Sequence, residues 1–279
     1  MLKPDGKDYL WGGSRLNDDF SKGIDMSPLA ETWECSTHPD GPSVVASGAF
    51  AGQTLAAVLK AHPEYLGTHP EAKGELPILI KLIDAKKDLS VQVHPTDAYA
   101  REHENGQLGK TEMWYVLDAK KDAKLVYGLY HDVSKGQLRK SIENGTVEKY
   151  LQKVPVKKND LFYIEAGTIH AIGAGILICE IQQNSNCTYR VYDYGRLGAD
   201  GKPRELHIQK ALDVCRLTPE EGGSSTGPVY PLAGGTAQDL GACAYFATQR
   251  LQVERALTLE VGEDSFVSLL ATQGSGVVC

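Results

Sequence analysis

The sequence predicts a mainly β protein, a barrel or sandwich of short strands with a small helical insert. Two observations carry this reading. Short runs rich in Val, Ile, Leu and aromatic residues recur along most of the chain, each closed by Gly, Pro, Asn or Asp. Apolar spacing of three or four residues appears only after Thr54, between residues 132 and 154, and over Ile208 to Val214.

In chain order, alternating aromatic and polar residues predict a strand from Trp33 to Ser36, then a turn at His38-Pro39-Asp40-Gly41-Pro42. Ser43 to Ala49 reads as another short strand. Thr54 is placed to cap a helix through Leu55, Val58 and Leu59. Strands are expected over Ile78–Ile83, Ser90–His94, Met113–Leu117 and Lys124–Tyr130. Between Asp132 and Val154, Val133, Leu138, Ile142, Val147, Tyr150 and Leu151 read as a helical pair broken at Asn144-Gly145. Further strands follow over Leu161–Glu165, Ile176–Gln183 and Thr188–Tyr192, then a short amphipathic helix over Ile208–Val214. Residues 218–228, rich in Gly, Ser and Pro, read as a linker. Beyond it, Ala244–Arg250, Gln252–Leu259 and Ser265–Ala271 are expected to be strands.

The 279 residues suffice for one large domain or two small ones. A formal net charge of -7 argues against a nucleic-acid surface, and an anionic ligand would need a local basic pocket. The first residues lack the apolar stretch of a signal peptide, and no uncharged run approaches the roughly 20 residues of a membrane span. Six scattered cysteines without a CxxC pair read as reduced thiols, which places the expected location in the cytoplasm.

The chemistry concentrates in four stretches. In Leu89-Ser90-Val91-Gln92-Val93-His94-Pro95, strand alternation sends Gln92 and His94 to one side. Glu112 opens the aromatic run Met113-Trp114-Tyr115-Val116, and a buried carboxylate there needs a metal or a base as partner. His170 sits in the glycine-framed turn Gly167-Thr168-Ile169-His170-Ala171-Ile172-Gly173. Alone, either histidine reads as an ordinary hydrogen-bonded residue; together, Gln92, His94, Glu112 and His170 make a mixed N/O set suited to zinc, with iron, manganese and cobalt as further candidates. The fourth stretch, Glu180 to Arg190, is dense in polar residues and is expected to put Glu180 and Arg190 on paired strands lining a pocket. Lys110 precedes Glu112 by two residues, and Lys81 interrupts an apolar run. His38, His62, His69, His103, His131 and His207 lack such company and read as surface or loop residues.

Those four stretches, in order and with Trp11-Gly12-Gly13 near the start, resemble the type I mannose-6-phosphate isomerases in their short bacterial form. The resemblance implies a jelly-roll barrel of the cupin kind binding one zinc ion through Gln92, His94, Glu112 and His170. It implies catalytic roles for Arg190, Glu180 and Lys110, and substrate contacts from Lys81, Ser90, Lys110 and Arg190. Arg196 is a further candidate for the phosphate. The implied partner is a small sugar phosphate, with no nucleic acid or membrane, and the chain is expected to be a monomer or weak homodimer. The implied organisation is a catalytic cupin domain over 1–217 with its helical insert near 132–154, the linker 218–228, and a partial second cupin barrel over 229–279. Two departures stand out: Glu165 replaces the proline usual before the Gly-Thr-Ile-His turn, and the second barrel, complete in the family, is expected to be incomplete here. The implied reaction interconverts mannose 6-phosphate and fructose 6-phosphate through a cis-enediol. A non-catalytic sugar-phosphate-binding cupin is the alternative; a metal-dependent oxygenase is disfavoured by Gln92 and by the Glu180–Arg190 stretch.

Overall fold

A computed structural model describes residues 1–69, 75–198, 201–221 and 226–279. Its strands are β1 (Leu2–Lys3), β2 (Asp5–Lys7), β3 (Glu31–Cys35), β4 (Val44–Val45), β5 (Ile78–Ala85), β6 (Val91–Val93), β7 (Glu112–Ala119) and β8 (Lys124–Leu129). They continue with β9 (Leu151–Pro155), β10 (Leu161–Ile164), β11 (His170–Ala171), β12 (Ile176–Gln183), β13 (Tyr189–Tyr192), β14 (Val229–Leu232), β15 (Gly235–Ala242) and β16 (Ala247–Val253). The α-helices are α1 (Arg15–Asp18), α2 (Leu55–Ala61), α3 (Asp97–His103), α4 (Lys135–Glu143) and α5 (Ile208–Val214).

Two sheets form the main body. One has the order β10-β7-β12-β5-β3-β2, the other β13-β6-β11-β8-β9, and the pairing in both is antiparallel. The long strands β5, β7 and β12 carry apolar residues on both faces because both faces are covered. Ile83, Trp114, Val116, Phe162 and Ile178 meet Leu125 and Tyr127 of the second sheet in an interior core. The alternate residues Ile80, Leu82, Met113, Tyr115, Cys179 and Ile181 face outward into a second core, which Leu240, Phe246, Phe266 and Leu270 help to cover. Val91 and Val93 of β6 pack outward against Leu138 and Ile142 of α4 and Leu212 of α5. The alternation therefore fixes which residues can reach the interior: Lys81, Gln92, Glu112 and Glu180 take the inward positions.

Helix starts follow their caps. Thr54 accepts from the Ala57 N–H at 3.2 Å, and Ser134 forms a capping box with Gln137 ahead of α4. Ser43–Ala49 is a strand only at Val44–Val45, which pairs with β1; the chain then turns through Gly48 at φ +83°. The expected helical pair is one helix and a strand. After Gly145, at φ +65°, a single 3₁₀ turn over Val147–Tyr150 leads into β9, whose alternating exposure reflects its place at the sheet edge beside β8.

The linker falls partly outside the described residues, at 222–225. Before them, Pro219 bridges Leu129 and the Glu220 carboxylate accepts from Thr168, so this end is tied to the main body. Past it, the three-stranded sheet β14-β15-β16 differs from the expected strands. β14 and β15 are additional. No strand is formed at residues 254–279, where Val261, Val267 and Leu269 are exposed. Instead, the Thr68 and His69 N–H groups donate to the carbonyls of Glu263 and Asp264, and Phe266 and Leu270 pack on the outer core.

Candidate metal centre and active site

Strand register assembles the centre. β6 runs between β13 and β11, so Gln92 has Arg190 on one side and His170 on the other. His94 follows β6 by one residue. Glu112 opens β7 in the opposite sheet, beside Gln182 of β12 and Ile164 of β10. Among the described residues, His94, Glu112 and His170 form the one group of His, Cys, Asp or Glu side chains placed to hold a metal ion, their ligand atoms all within 4.8 Å of one another. The imidazoles lie 4.7 Å apart by ring centroid, and His94 Nε2 is 3.0 Å and His170 Nε2 3.9 Å from the Glu112 carboxylate. The Gln92 amide nitrogen is 3.4 Å from His170 Nε2, and a half-turn of that amide would present its oxygen to the same point.

This donor set fits a divalent metal ion. Nδ1 of His94 lies 2.8 Å from the Cys187 carbonyl, and Nδ1 of His170 lies 2.8 Å from the Thr168 carbonyl. A carbonyl can only accept, so each ring carries its proton on Nδ1 and turns the Nε2 lone pair to the centre. Burial, then the nearby Lys110 ammonium, pushes the His94 imidazolium down to about 3; burial likewise lowers His170. Both rings are therefore neutral, as ligands must be. Burial alone would raise the Glu112 carboxyl, but the Lys110 ammonium, 2.5 Å from Oε1, holds it well below the usual range. Glu112 Oε1 is buried and accepts no hydrogen bond, although Lys110 Nζ lies 2.5 Å away.

A second carboxylate adjoins the first. The Trp114 indole N–H points between Glu112 Oε2 at 2.9 Å and Glu180 Oε2 at 2.8 Å. Glu180 Oε1 accepts no hydrogen bond and lies 3.4 Å from Lys81 Nζ. Desolvation, and then the charge of Glu112, pushes the Glu180 carboxyl up to about 7. Burial would depress the Lys81 ammonium, but Glu31 and Glu180 outweigh it and raise its pKa. Lys81 also lies 4.7 Å from the Trp33 ring, whose N–H donates to Glu31.

Most of the expected site residues converge here, with one correction. Glu180 and Arg190 are not on paired strands: β12 pairs with β5 and β7, and β13 with β6, because residues 184–188 cross from one sheet to the other rather than forming a hairpin. Arg190 donates to the Glu205 carbonyl at 2.8 Å, and its Nε is buried without a hydrogen-bond partner. Arg196 pairs with the buried Asp193, which also pairs with Arg204, and donates to the Asp88 carbonyl; burial, and then the charges of Arg204 and Arg196, lower the pKa of the Arg190 guanidinium. Ser90 is buried just before β6, on the Gln92 side by alternation.

Trp114 and His207 are members that the sequence reading missed. Trp114 shares Glu112's face, two residues on, but reads as one aromatic among several. His207 Nδ1 accepts from the Arg190 N–H at 3.0 Å, a contact across 17 residues with no local signal. Glu165 reaches no ligand. It pairs at 2.8 Å with Arg216, which also donates to Thr168 Oγ1 at 2.6 Å and pairs with Glu220. Two cavities of about 270 and 420 Å³ open elsewhere, and neither is lined by a member of the cluster.

Fold and site together define a cupin with a buried His/Glu/His centre. Residues 1–122 match the family model for the catalytic domain of type I phosphomannose isomerase. A Bacillus subtilis mannose-6-phosphate isomerase is 40% identical over 279 residues, covering 99% of this chain and 86% of its own. One from Streptococcus mutans is 41% identical over 95% of this chain and 82% of its own. The crystal structure of a mannose 6-phosphate isomerase from Bacillus subtilis matches with a TM-score of 0.84 at 39% identity, over 90% of this chain and 79% of that one. A zinc-bound mannose 6-phosphate isomerase structure shares the fold at 17% identity and a TM-score of 0.65, over 89% of this chain and 82% of that one. The chain belongs to the type I phosphomannose isomerase family.

Proposed function

We propose that the chain interconverts mannose 6-phosphate and fructose 6-phosphate with one zinc ion held by Gln92, His94, Glu112 and His170. The observation that carries this reading is the pair of buried carboxylates joined by Trp114. One is ionised and sits among neutral imidazoles; the other is raised to about 7 in the metal-free protein and has Lys81 Nζ 3.4 Å from its second oxygen. A divalent ion bound there supplies Lewis-acid polarisation of the sugar carbonyl. Glu180 takes the C2 proton of the open-chain aldose and returns it to C1 of the cis-enediol. Lys110 and Arg190 hold the oxygen on which negative charge develops. Lys81, Lys110 and Arg190, with Ser90, form the local cationic lining that an acidic chain needs for a phosphorylated substrate. Lys81 also keeps Glu180 from standing as an isolated charge.

A sugar-phosphate binder without turnover is not favoured, since relatives 40% and 41% identical over nearly the whole chain are mannose-6-phosphate isomerases. The reading extends to a cytoplasmic enzyme, monomeric or a weak homodimer, with a catalytic cupin over 1–217 and a partial second barrel over 229–279. Among the described residues, no helix is long and apolar enough to cross a membrane. Solvent exchange tests the chemistry. In D₂O, the zinc-loaded protein should place deuterium at C2 of mannose 6-phosphate, and Glu180→Gln should lower that exchange by roughly 100-fold or more. Exchange at the parental rate in Glu180→Gln would assign the base elsewhere; substrate binding without conversion or exchange would leave the non-catalytic reading.

A further inference from the structure

We propose that Asp97 is a positioning residue for Lys110, and that Tyr245 of the β15–β16 hairpin links that positioning to the C-terminal sheet. The proposal rests on the part given to Lys110 above. Lys110 lies in a loop just before β7, and its ammonium is 2.5 Å from Glu112 Oε1 and 3.3 Å from His94 Nε2. A flexible side chain holds such a place only if its backbone is fixed, and both neighbours of Lys110 are held through one carboxylate. Asp97 Oδ1 accepts from the Gly109 N–H at 2.7 Å and from Gln183 Nε2 at 2.9 Å. Gln183 in turn accepts the Thr111 N–H on its Oε1 at 2.9 Å and donates its own N–H to the Thr111 carbonyl at 3.1 Å. The Lys110 N–H donates to the Pro95 carbonyl, which ties the loop to the end of the His94 strand.

Asp97 opens α3 but does not cap it; Thr96 accepts from the Tyr99 N–H and does that work. Gly109 shows how close the two segments come. A Cβ there would lie 2.4 Å from the Asp97 nitrogen and 2.7 Å from the Pro95 oxygen. The other Asp97 oxygen accepts from the Tyr245 hydroxyl at 3.1 Å. A chain of hydrogen bonds thus runs from the C-terminal hairpin through Asp97 to the residues on either side of Lys110.

The test is a double-mutant cycle on zinc-loaded protein, with kcat expressed per bound zinc. Asp97→Ala should lower kcat about 10- to 100-fold, the scale of a misplaced reacting group, while KM stays within about threefold. Lys110→Met should lower kcat further, and the double variant should be no slower than Lys110→Met alone. Tyr245→Phe should lower kcat two- to fivefold in the parent, roughly, and not in the Lys110→Met background. Multiplying losses in the double variant, or parental kcat per zinc in Asp97→Ala, would overturn the proposal. Should Asp97→Ala fail to fold, Asp97→Asn is read by the same criteria. A parental rate in Lys110→Met would remove the role given to Lys110 and this proposal with it, whereas an inactive parent would defeat the isomerase reading itself.

Discussion

Trp114 is the residue on which the two carboxylates depend, since its one N–H serves both. Trp114→Phe removes that donor at similar volume. Partners around metal ligands typically contribute 10–100-fold to metal affinity, so a loss of that size is expected by chelator competition; unchanged affinity would mean that the indole only fills space. Protonation gives a second check on the metal-free protein. The unfolded chain protonates His94 near its ordinary value of 6.5, whereas the folded chain refuses that proton down to about 3. Stability from this group is present above 6.5 and lost as pH falls toward 3. Glu180 acts in the opposite sense. Its folded value of about 7 lies above the ordinary 4.5, so its contribution is present below 4.5 and lost as pH rises to about 7. In urea titrations of metal-free protein between pH 6.5 and 4.5, His94→Gln should change the slope of stability against pH by up to about 1.4 kcal/mol per unit, removing acid sensitivity. An unaltered slope would contradict the neutral, buried His94.

The turn that carries His170 is held by side chains where a proline would stiffen the backbone. Arg216 grips Glu165, Glu220 and Thr168 Oγ1, and the Thr168 carbonyl fixes the His170 tautomer. Glu165 is 55% exposed in that pair, so Glu165→Ala should change stability by no more than about 1 kcal/mol. Arg216→Ala removes the shared grip and should weaken zinc binding about 10-fold or more. Equal effects of the two substitutions on zinc affinity would show the ion pair with Glu165, not the bond to Thr168, to be the working contact. Elements buried on both faces were legible in the sequence: β5 and β12 are near-continuous apolar runs, interrupted at Lys81 and Glu180 where the site begins. The His94, Glu112 and His170 group was legible for the same reason, as polar residues on strands that should be apolar or beside glycine turns. Strand β9 was not, because Leu151 and Val154 stand three residues apart, a helical spacing, and Leu151 is the one fully buried residue of the strand. Asp97, His207 and Arg216 escaped because each acts on a partner distant in sequence.

Over the whole molecule, the outer core joins the C-terminal sheet to the main body. Leu240 of β15 is buried among residues from β5, β7 and β12. β15 was hidden in the sequence by its glycines and alanines, which lack apolar alternation, and β14 by Pro231, which argues against a strand. Leu240→Ala should cost about 2–5 kcal/mol as a cavity at this junction. Unfolding by urea should remain a single transition, and two separated transitions would make residues 229–279 an independent unit. The same arrangement leaves the interior between the sheets apolar at Ile83, Val116 and Ile178, and polar where Lys81, Glu112 and Glu180 meet the histidines. The reaction is assigned to that polar end. The most direct measurement is therefore turnover of mannose 6-phosphate to fructose 6-phosphate by the parent protein, before chelation, after it, and after titration with zinc. Turnover is expected that chelation abolishes and one equivalent of zinc per chain restores. Turnover indifferent to chelation, or none in the zinc-loaded protein, would contradict the zinc-dependent isomerase reading.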